Sequence, residues 1–134
     1  MRLLLFSLAV ITACDPYVAS EVVLNPAPSA ASVDSTASSV LSMVDTLARR
    51  HGLTPRKWPY SCTVGSSEGT HRGSWKSSST WLTVCVTRAQ PFRVDFFVKE
   101  LGFHWSRGGD SLRHELPDSL RSRFGVASVT VIRK

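Results

Sequence analysis

The sequence predicts an α+β fold, with an antiparallel sheet of about four strands and two helices on one face of it. Three features lead to this: an alternating stretch over 81–101, a helical period that begins near Ser32, and a β-branched run near the C-terminal end. The predicted order is helix, three strands, helix, strand. Such an order is typical of a two-layer sandwich.

The stretch 81–101 alternates between apolar and other side chains and is interrupted once, at Pro91. A period of two indicates a strand with one buried face, and Pro91 belongs in a turn because it cannot donate a ladder hydrogen bond. We therefore predict an antiparallel hairpin, with a bend near Gly102 where the apolar parity switches. Its core face carries Leu82, Val84, Val86, Phe92, Val94, Phe96 and Val98.

Apolar residues recur at helical spacing between Ser32 and Ala48. Ser32 is a candidate N-cap, and Arg49 and Arg50 suit the negative end of the helix dipole. Gly52 predicts a C-terminal stop, with the following leucine as its hydrophobic partner.

The remaining elements are predicted from shorter signals. Residues 60–64 resemble a first strand, and the Gly- and Ser-rich residues 65–80 a long, mobile hairpin connection. After Gly108-Gly109 we expect a short helical turn from Asp110, a second helix opening at Pro117 and a closing strand over 126–132. Pro117 should break the helix because a proline inside it loses a backbone bond and clashes one turn back.

The first fourteen residues indicate export. A single positive charge and the apolar run 3–11 fit a secretory signal, and the run is far shorter than the roughly 20 residues that span a bilayer. Ile11-Thr12-Ala13-Cys14 resembles the lipobox of bacterial lipoproteins. The resemblance implies that residues 1–13 are removed and that Cys14 becomes the mature N-terminus. Its sulfur would carry a diacylglyceryl group, with acyl chains such as palmitate, that anchors the protein in the membrane. The alternative is an ordinary signal cut after Ala13 or Ala19.

Residues 14–31 are predicted to be a flexible tether, and 32–134 the folded domain. Prolines stand among Ala, Ser and Val in the leader without a sustained period. A segment of this composition does not bury enough surface to offset its ordering entropy. Such a tether would hold the domain clear of the membrane.

The chain has three cysteines. With Cys14 assigned to lipid, Cys62 and Cys85 remain, and outside the cytoplasm such a pair usually oxidises. Closing that loop should stabilise a small fold by roughly 3 kcal/mol.

Charge is unevenly distributed. Residues 14–48 contain four acidic and no basic side chains, whereas 49–134 contain 15 basic and 6 acidic ones, giving net charges of −4 and +9. The basic domain suggests an anionic neighbour, such as a lipid headgroup or an envelope polymer. Alternatively, the charge only keeps a small domain in solution.

Two kinds of catalytic site were tested against the sequence. Gly65-Ser66-Ser67-Glu68-Gly69 matches the G-x-S-x-G elbow of α/β-hydrolases, with the formal triad partners Asp95 or Asp110 and His104 or His114. The elbow needs a strand-to-helix turn on a parallel sheet, which the surrounding sequence does not predict. The histidines have no metal-binding spacing, so we predict no metal and no cofactor. The predicted location in the cell envelope also argues against a nucleic-acid partner.

The best candidate for a binding surface is the second face of the sheet. Side chains of a strand alternate between faces, so one face should combine aromatics and cations with the predicted disulfide. The loop of Trp75 would lie at its margin, unless Trp75 folds back to cover the sheet edge. The candidate binding residues are Arg72, Lys76, Trp75, Trp81, Arg93, Phe97 and Lys99. Alternatively, the leader or the 65–80 loop covers this face as a second small core.

Taken together, these features predict an envelope lipoprotein with a small basic binding or adaptor domain outside the cytoplasm, in the periplasm of a Gram-negative cell. Its partners would be the membrane, through the anchor, and an anionic polymer, a lipid headgroup or an envelope protein. The competing classes are a small hydrolase that uses Ser67 or a His/Asp pair, and a structural subunit of an envelope complex. A subunit of that kind should expose a contiguous apolar patch.

Overall fold

A computed structural model describes residues 15–24, 28–57, 70–87, 92–124 and 126–133. These residues form two helices, α1 (Val33–Arg50) and α2 (Arg107–Phe124). The strands are β1 (Tyr17–Leu24), β2 (Thr54–Pro55), β3 (Thr70–Lys76), β4 (Thr80–Thr87), β5 (Arg93–Glu100) and β6 (Val126–Arg133). They form one sheet in the order β2-β3-β4-β5-β1-β6, and each neighbouring pair is antiparallel.

The α+β class is therefore confirmed, while the strand number and order differ from the prediction. The predicted antiparallel hairpin is present as β4 and β5, and its register places Leu82 opposite Val98 and Val84 opposite Phe96. The predicted core face of the hairpin is buried and packs in one hydrophobic cluster with residues of both helices. The closing strand β6 is also present, paired with β1.

Strand β1 corrects the predicted tether, because residues 17–24 are hydrogen-bonded in the sheet on both sides. Val18, Ser20, Val22 and Leu24 are buried in strict alternation. The period is weak in the sequence because the polar Ser20 is in the buried row and the apolar Ala19 and Val23 are in the other row. The partners that make burial possible, β5 and β6, lie far away in the sequence.

Strand β3 corrects the predicted loop over 65–80, since residues 70–76 pair along their whole length with β4. Gly and Ser have low β-propensity, but the ladder hydrogen bonds to a strong strand override it. The predicted strand over 60–64 lies outside the described residues.

Helix α1 has the predicted bounds, with Ser32 at the N-cap position. At its C-terminus Gly52 has φ +81°. The Gly52 N–H donates to Arg49 O and the Leu53 N–H to Ala48 O, at 3.0 and 2.9 Å. This is a Schellman motif, and Leu53 is buried as its hydrophobic partner.

Helix α2 corrects the prediction of two segments, because it begins at Arg107 and continues through Pro117. Its N-cap is Ser106, whose Oγ accepts the Gly109 N–H at 3.1 Å. An internal proline costs about 3 kcal/mol. Three fully buried leucines, at about 1.5–3 kcal/mol each, offset that cost by holding the helix to the sheet on both sides of Pro117. They are Leu112, Leu116 and Leu120.

A buried carboxylate joins this helix to the sheet. Glu100, at the end of β5, is 1% exposed. Its Oε2 accepts hydrogen bonds from Thr80 Oγ1 at 2.9 Å and from Ser106 Oγ at 3.1 Å. Gly109, in the first turn of α2, leaves the space that the carboxylate occupies. The partial positive charge of the helix N-terminus favours an anion at this place.

Gly109→Ala should destabilise the protein by about 1–3 kcal/mol, because the new methyl group would overlap Glu100 Oε2 and overpack a filled site. Alanine is the better helix former by about 1 kcal/mol, so propensity alone predicts the opposite sign. Urea unfolding measures the change. Ser122→Ala, on the exposed part of the same helix, is the control and should stay within about 0.5 kcal/mol. A Gly109→Ala protein as stable as the wild type would contradict this account.

Candidate functional site

The second face of the sheet, opposite the helices, carries the candidate site. In an antiparallel pair, residues opposite each other share a face. One row across the strands is therefore Lys76, Trp81, Lys99 and Tyr17. We call the surface formed by this row and the next rows on the same side the aromatic–cationic face.

Further rows add the other predicted residues. Phe97 is opposite Thr83 and Ala19, and Arg72 is opposite Cys85, which faces Asp95. Arg93 lies opposite Thr87 in the last row. The sheet thus brings six of the seven predicted binding residues onto one face. They are Arg72, Lys76, Trp81, Arg93, Phe97 and Lys99.

Trp75 is the exception and corrects the prediction. Being opposite Leu82, it faces the helices and is only 5% exposed. Its Nε1–H donates to Asp45 Oδ1 in α1 at 2.8 Å, and its ring covers Gly73, where a methyl group would overlap it. This hydrogen bond is the main reason that the pKa of Asp45 lies below its usual value. Trp75 is therefore a core residue. Its position is nearer to the alternative given above, in which Trp75 folds back to cover the sheet edge.

Neither large predicted aromatic residue of the aromatic–cationic face is buried: Trp81 and Phe97 are both half-buried. The Trp81 Nε1–H donates to Ser74 Oγ at 3.0 Å, and Lys76 Nζ lies 4.9 Å from the Trp81 ring centroid. The ring of Phe97 contacts that of Tyr17, with centroids 5.1 Å apart. These contacts fix the orientation of the rings and leave part of each accessible.

The charges of this face are partly compensated. Arg93 Nε lies 2.9 Å from Asp95 Oδ2, and Lys99 Nζ lies 3.4 Å from Asp15 Oδ2. Among the described residues no acidic side chain pairs with Arg72, which is exposed, or with Lys76. The edge formed by β3 is therefore the more positive side of the face.

Asp95 lies in the middle of this face, and partial burial raises the pKa of its carboxyl. The Arg93 guanidinium opposes the shift, and the nearby Glu21 carboxylate adds to it. Cys85 lies opposite Asp95 on the same face. Cys62 is outside the described residues, so the Cys62–Cys85 bridge stays a prediction.

Ser67 lies outside the described residues, and the candidate aspartates and histidines that the structure describes are not paired with one another. Asp95 is paired with Arg93, and Asp110 with Arg113 at 2.6 Å. His104 and His114 are exposed, and a histidine–carboxylate contact joins His51 to Glu115 at 2.9 Å.

The grouping of possible metal ligands, the hydropathy of the helices and the surface grooves bear on other kinds of site in the described residues. Among the described residues, no three His, Cys, Asp or Glu side chains are grouped as metal ligands would be. Neither described helix has the length and apolar character needed to cross a bilayer. An open groove of about 500 Å³ between the helices is lined by Met43, Leu47, Arg50, Glu115 and Arg123 together with polar neighbours. It contains none of the predicted binding residues.

Comparison with known proteins adds no assignment. No protein family and no curated protein matched the chain.

Sequence reasoning missed the contribution of β1 to the aromatic–cationic face. Tyr17 supplies a third ring, Glu21 a second carboxylate, and Asp15 the partner of Lys99. All three fell in the predicted tether. The alternation of Val18, Val22 and Leu24 was the signal that could have identified the strand.

The free energy of unfolding of Asp95→Asn should increase relative to that of the wild type as the pH rises. The folded-state pKa of Asp95 is raised, so its contribution to stability is complete below the unfolded value of 3.8 and is lost as the pH rises through the folded value. Urea unfolding between about pH 3 and pH 7 measures the difference.

Asp45→Asn is the matched control with the opposite sign. Its pKa is lowered, so its contribution is present above 3.8 and is lost as the pH falls through the folded value. Raising the pH should therefore favour the wild type over Asp45→Asn. Parallel pH trends for the two variants would contradict the assignment.

Proposed function

We propose that this chain is an exported lipoprotein, anchored through Cys14, whose α+β domain binds an anionic component of the cell envelope at the aromatic–cationic face. The observation that carries the proposal is the gathering of six predicted binding residues on one face of the sheet, opposite the helices. The domain would act as a binding or adaptor module outside the cytoplasm.

The composition of the face supports binding. One face of an antiparallel sheet can stand in water, and a solvated face is usually polar. This one instead carries Trp81, Phe97 and Tyr17 among four cationic side chains. Rings with fixed orientations offer contact area at a low entropic cost. The cations favour an anionic partner and increase its rate of association.

The anchor is supported by the signal-like segment and by the lipobox resemblance at Ile11-Thr12-Ala13-Cys14. Two residues, Asp15 and Pro16, separate Cys14 from β1. A lipid on Cys14 would therefore hold the domain directly at the bilayer and not on a long tether.

The first test is mass spectrometry of the mature protein extracted from membranes. The N-terminal peptide should begin at Cys14 and carry the mass of a diacylglyceryl group, with or without a further acyl chain. Cys14→Ser, expressed in parallel, should lose the modification and the membrane fraction. An unmodified N-terminus at Cys14 or at Ser20 would contradict the anchor.

The second test is the disulfide. Digestion without reductant should release Cys62 and Cys85 in one linked peptide, which separates on reduction. Cys62→Ala/Cys85→Ala should lower the free energy of unfolding by about 3 kcal/mol, since the bridge restricts the unfolded chain. Two alkylated thiols in the native protein would contradict the bridge.

The third test is charge reversal on the face. Arg72→Glu/Lys76→Glu should weaken binding of dextran sulfate, a model anionic polymer, by about tenfold or more, because each basic residue near an anionic surface contributes about 1 kcal/mol. Fluorescence anisotropy of labelled polymer at two salt concentrations measures the affinity.

Arg121→Glu/Arg123→Glu, on the exposed part of α2, is the matched control. Each double variant changes the net charge from +6 to +2. Equal losses in both would show that total charge governs the binding and that the face does not. Circular dichroism checks that both variants remain folded.

A further inference from the structure

The first described residues are attached to the turn that follows β5. The Gly102 N–H donates to Asp15 Oδ1 at 3.2 Å, and the Glu100 N–H donates to Pro16 O at 2.9 Å. Lys99 Nζ lies 3.4 Å from the other Asp15 oxygen. Three separate contacts therefore fix residues 15 and 16 beside this turn.

The same turn exposes apolar side chains. Phe103 is 70% and Leu101 is 40% exposed, and they are the large hydrophobic residues left exposed in the described part of the chain. The base of the turn is held by the Leu101 N–H, which donates to Ser79 O at 2.7 Å. Gly102 has φ +130°, a conformation that side-chain-bearing residues rarely adopt. The backbone thus presents Phe103 to the outside of the molecule.

Basic groups border the exposed pair. Lys99, whose ammonium is paired with Asp15, precedes it, and Arg107 follows it as an exposed residue at the start of α2. His104, also exposed, follows Phe103 directly. Apolar side chains among cations are typical of segments that lie in the interface of an anionic membrane.

We propose that the turn 101–104 contacts the bilayer and inserts Phe103 and Leu101 at the level of the headgroups, as a second attachment beside the lipid on Cys14. This inference rests on the anchor proposed above. Asp15 follows Cys14 in the sequence, and two residues span at most about 7 Å. The lipid would therefore enter the membrane close to this turn.

The size and place of the patch favour lipid over a protein partner. A stable protein interface takes about 20–30 residues from each side, whereas this patch has two large apolar side chains. An anchored domain needs a second contact to fix its orientation, and a small apolar turn beside the anchor provides one. The contact would hold the domain in one orientation on the membrane.

Photocrosslinking of the full, lipidated chain tests the proposal. A benzophenone amino acid replaces Phe103 in one sample and Ser122 in another, and each protein is reconstituted in vesicles of phosphatidylethanolamine and phosphatidylglycerol. Ser122 is exposed and lies about 22 Å along α2 from Arg107. Substitution at Leu101 provides a second probe of the turn. Circular dichroism shows that each substituted protein is folded.

The expected result is a phospholipid adduct at 103 and 101, at least fivefold above that at 122. Equal labelling at 103 and 122 in a chain whose N-terminal peptide carries lipid would overturn the membrane contact and leave the anchor intact. An N-terminal peptide without lipid would overturn the anchor and, with it, this inference. In native membranes, a protein adduct at 103 in place of the lipid adduct would show that a protein covers the turn, and would overturn the proposed contact with the bilayer.

Discussion

The two-sided pairing of β1 is the constraint on which the rest of the structure depends. Its backbone is hydrogen-bonded to β5 on one side and to β6 on the other, so without β1 the C-terminal strand would have no neighbour in the sheet. β1 also buries Val22 and Leu24 in the hydrophobic core that contains residues of both helices. The eight residues of β1 are therefore integral to the fold, and a signal cut after Ala19 would remove part of this strand.

The two faces of the sheet differ because of the alternation along each strand. The core face is apolar throughout β4 and β5, apart from Thr80 at the start of β4 and Glu100 at the end of β5, where the helix N-terminus and two hydroxyl groups satisfy the carboxylate. Burial of this face accounts for the position of both helices. The helices pack on the core face, so they do not explain the aromatics and cations of the opposite face. We propose that binding explains them.

The elements that could be predicted from the sequence are those with a strong local period: α1, the β4–β5 hairpin and β6. The sequence also predicted which hairpin residues share a face, because parity follows from the pleat alone. Prediction failed where long-range pairing overrides a weak local signal. β3 is rich in small and polar residues, and the apolar row of β1 is interrupted by Ser20. Both strands are stabilised by their pairing with neighbours in the sheet. The predicted break at Pro117 was wrong for the same reason, since the buried leucines of α2 hold the helix together across this proline.

Lys99 connects the proposed binding face with the proposed membrane contact. Its strand ends at the turn with Phe103, its ammonium pairs with Asp15, and it lies in the row of Trp81 and Tyr17. If the turn rests on the bilayer, this row of the aromatic–cationic face is the one next to the membrane. The strands then lead away from it for about 24 Å, because the first and last of eight residues are separated by seven steps of about 3.4 Å. Arg72 and Arg93 lie in rows farther from the turn. A partner that contacts the whole face would therefore extend outward from the membrane surface, as an envelope polymer or a neighbouring protein does, whereas a headgroup in the same bilayer would reach only the nearest row.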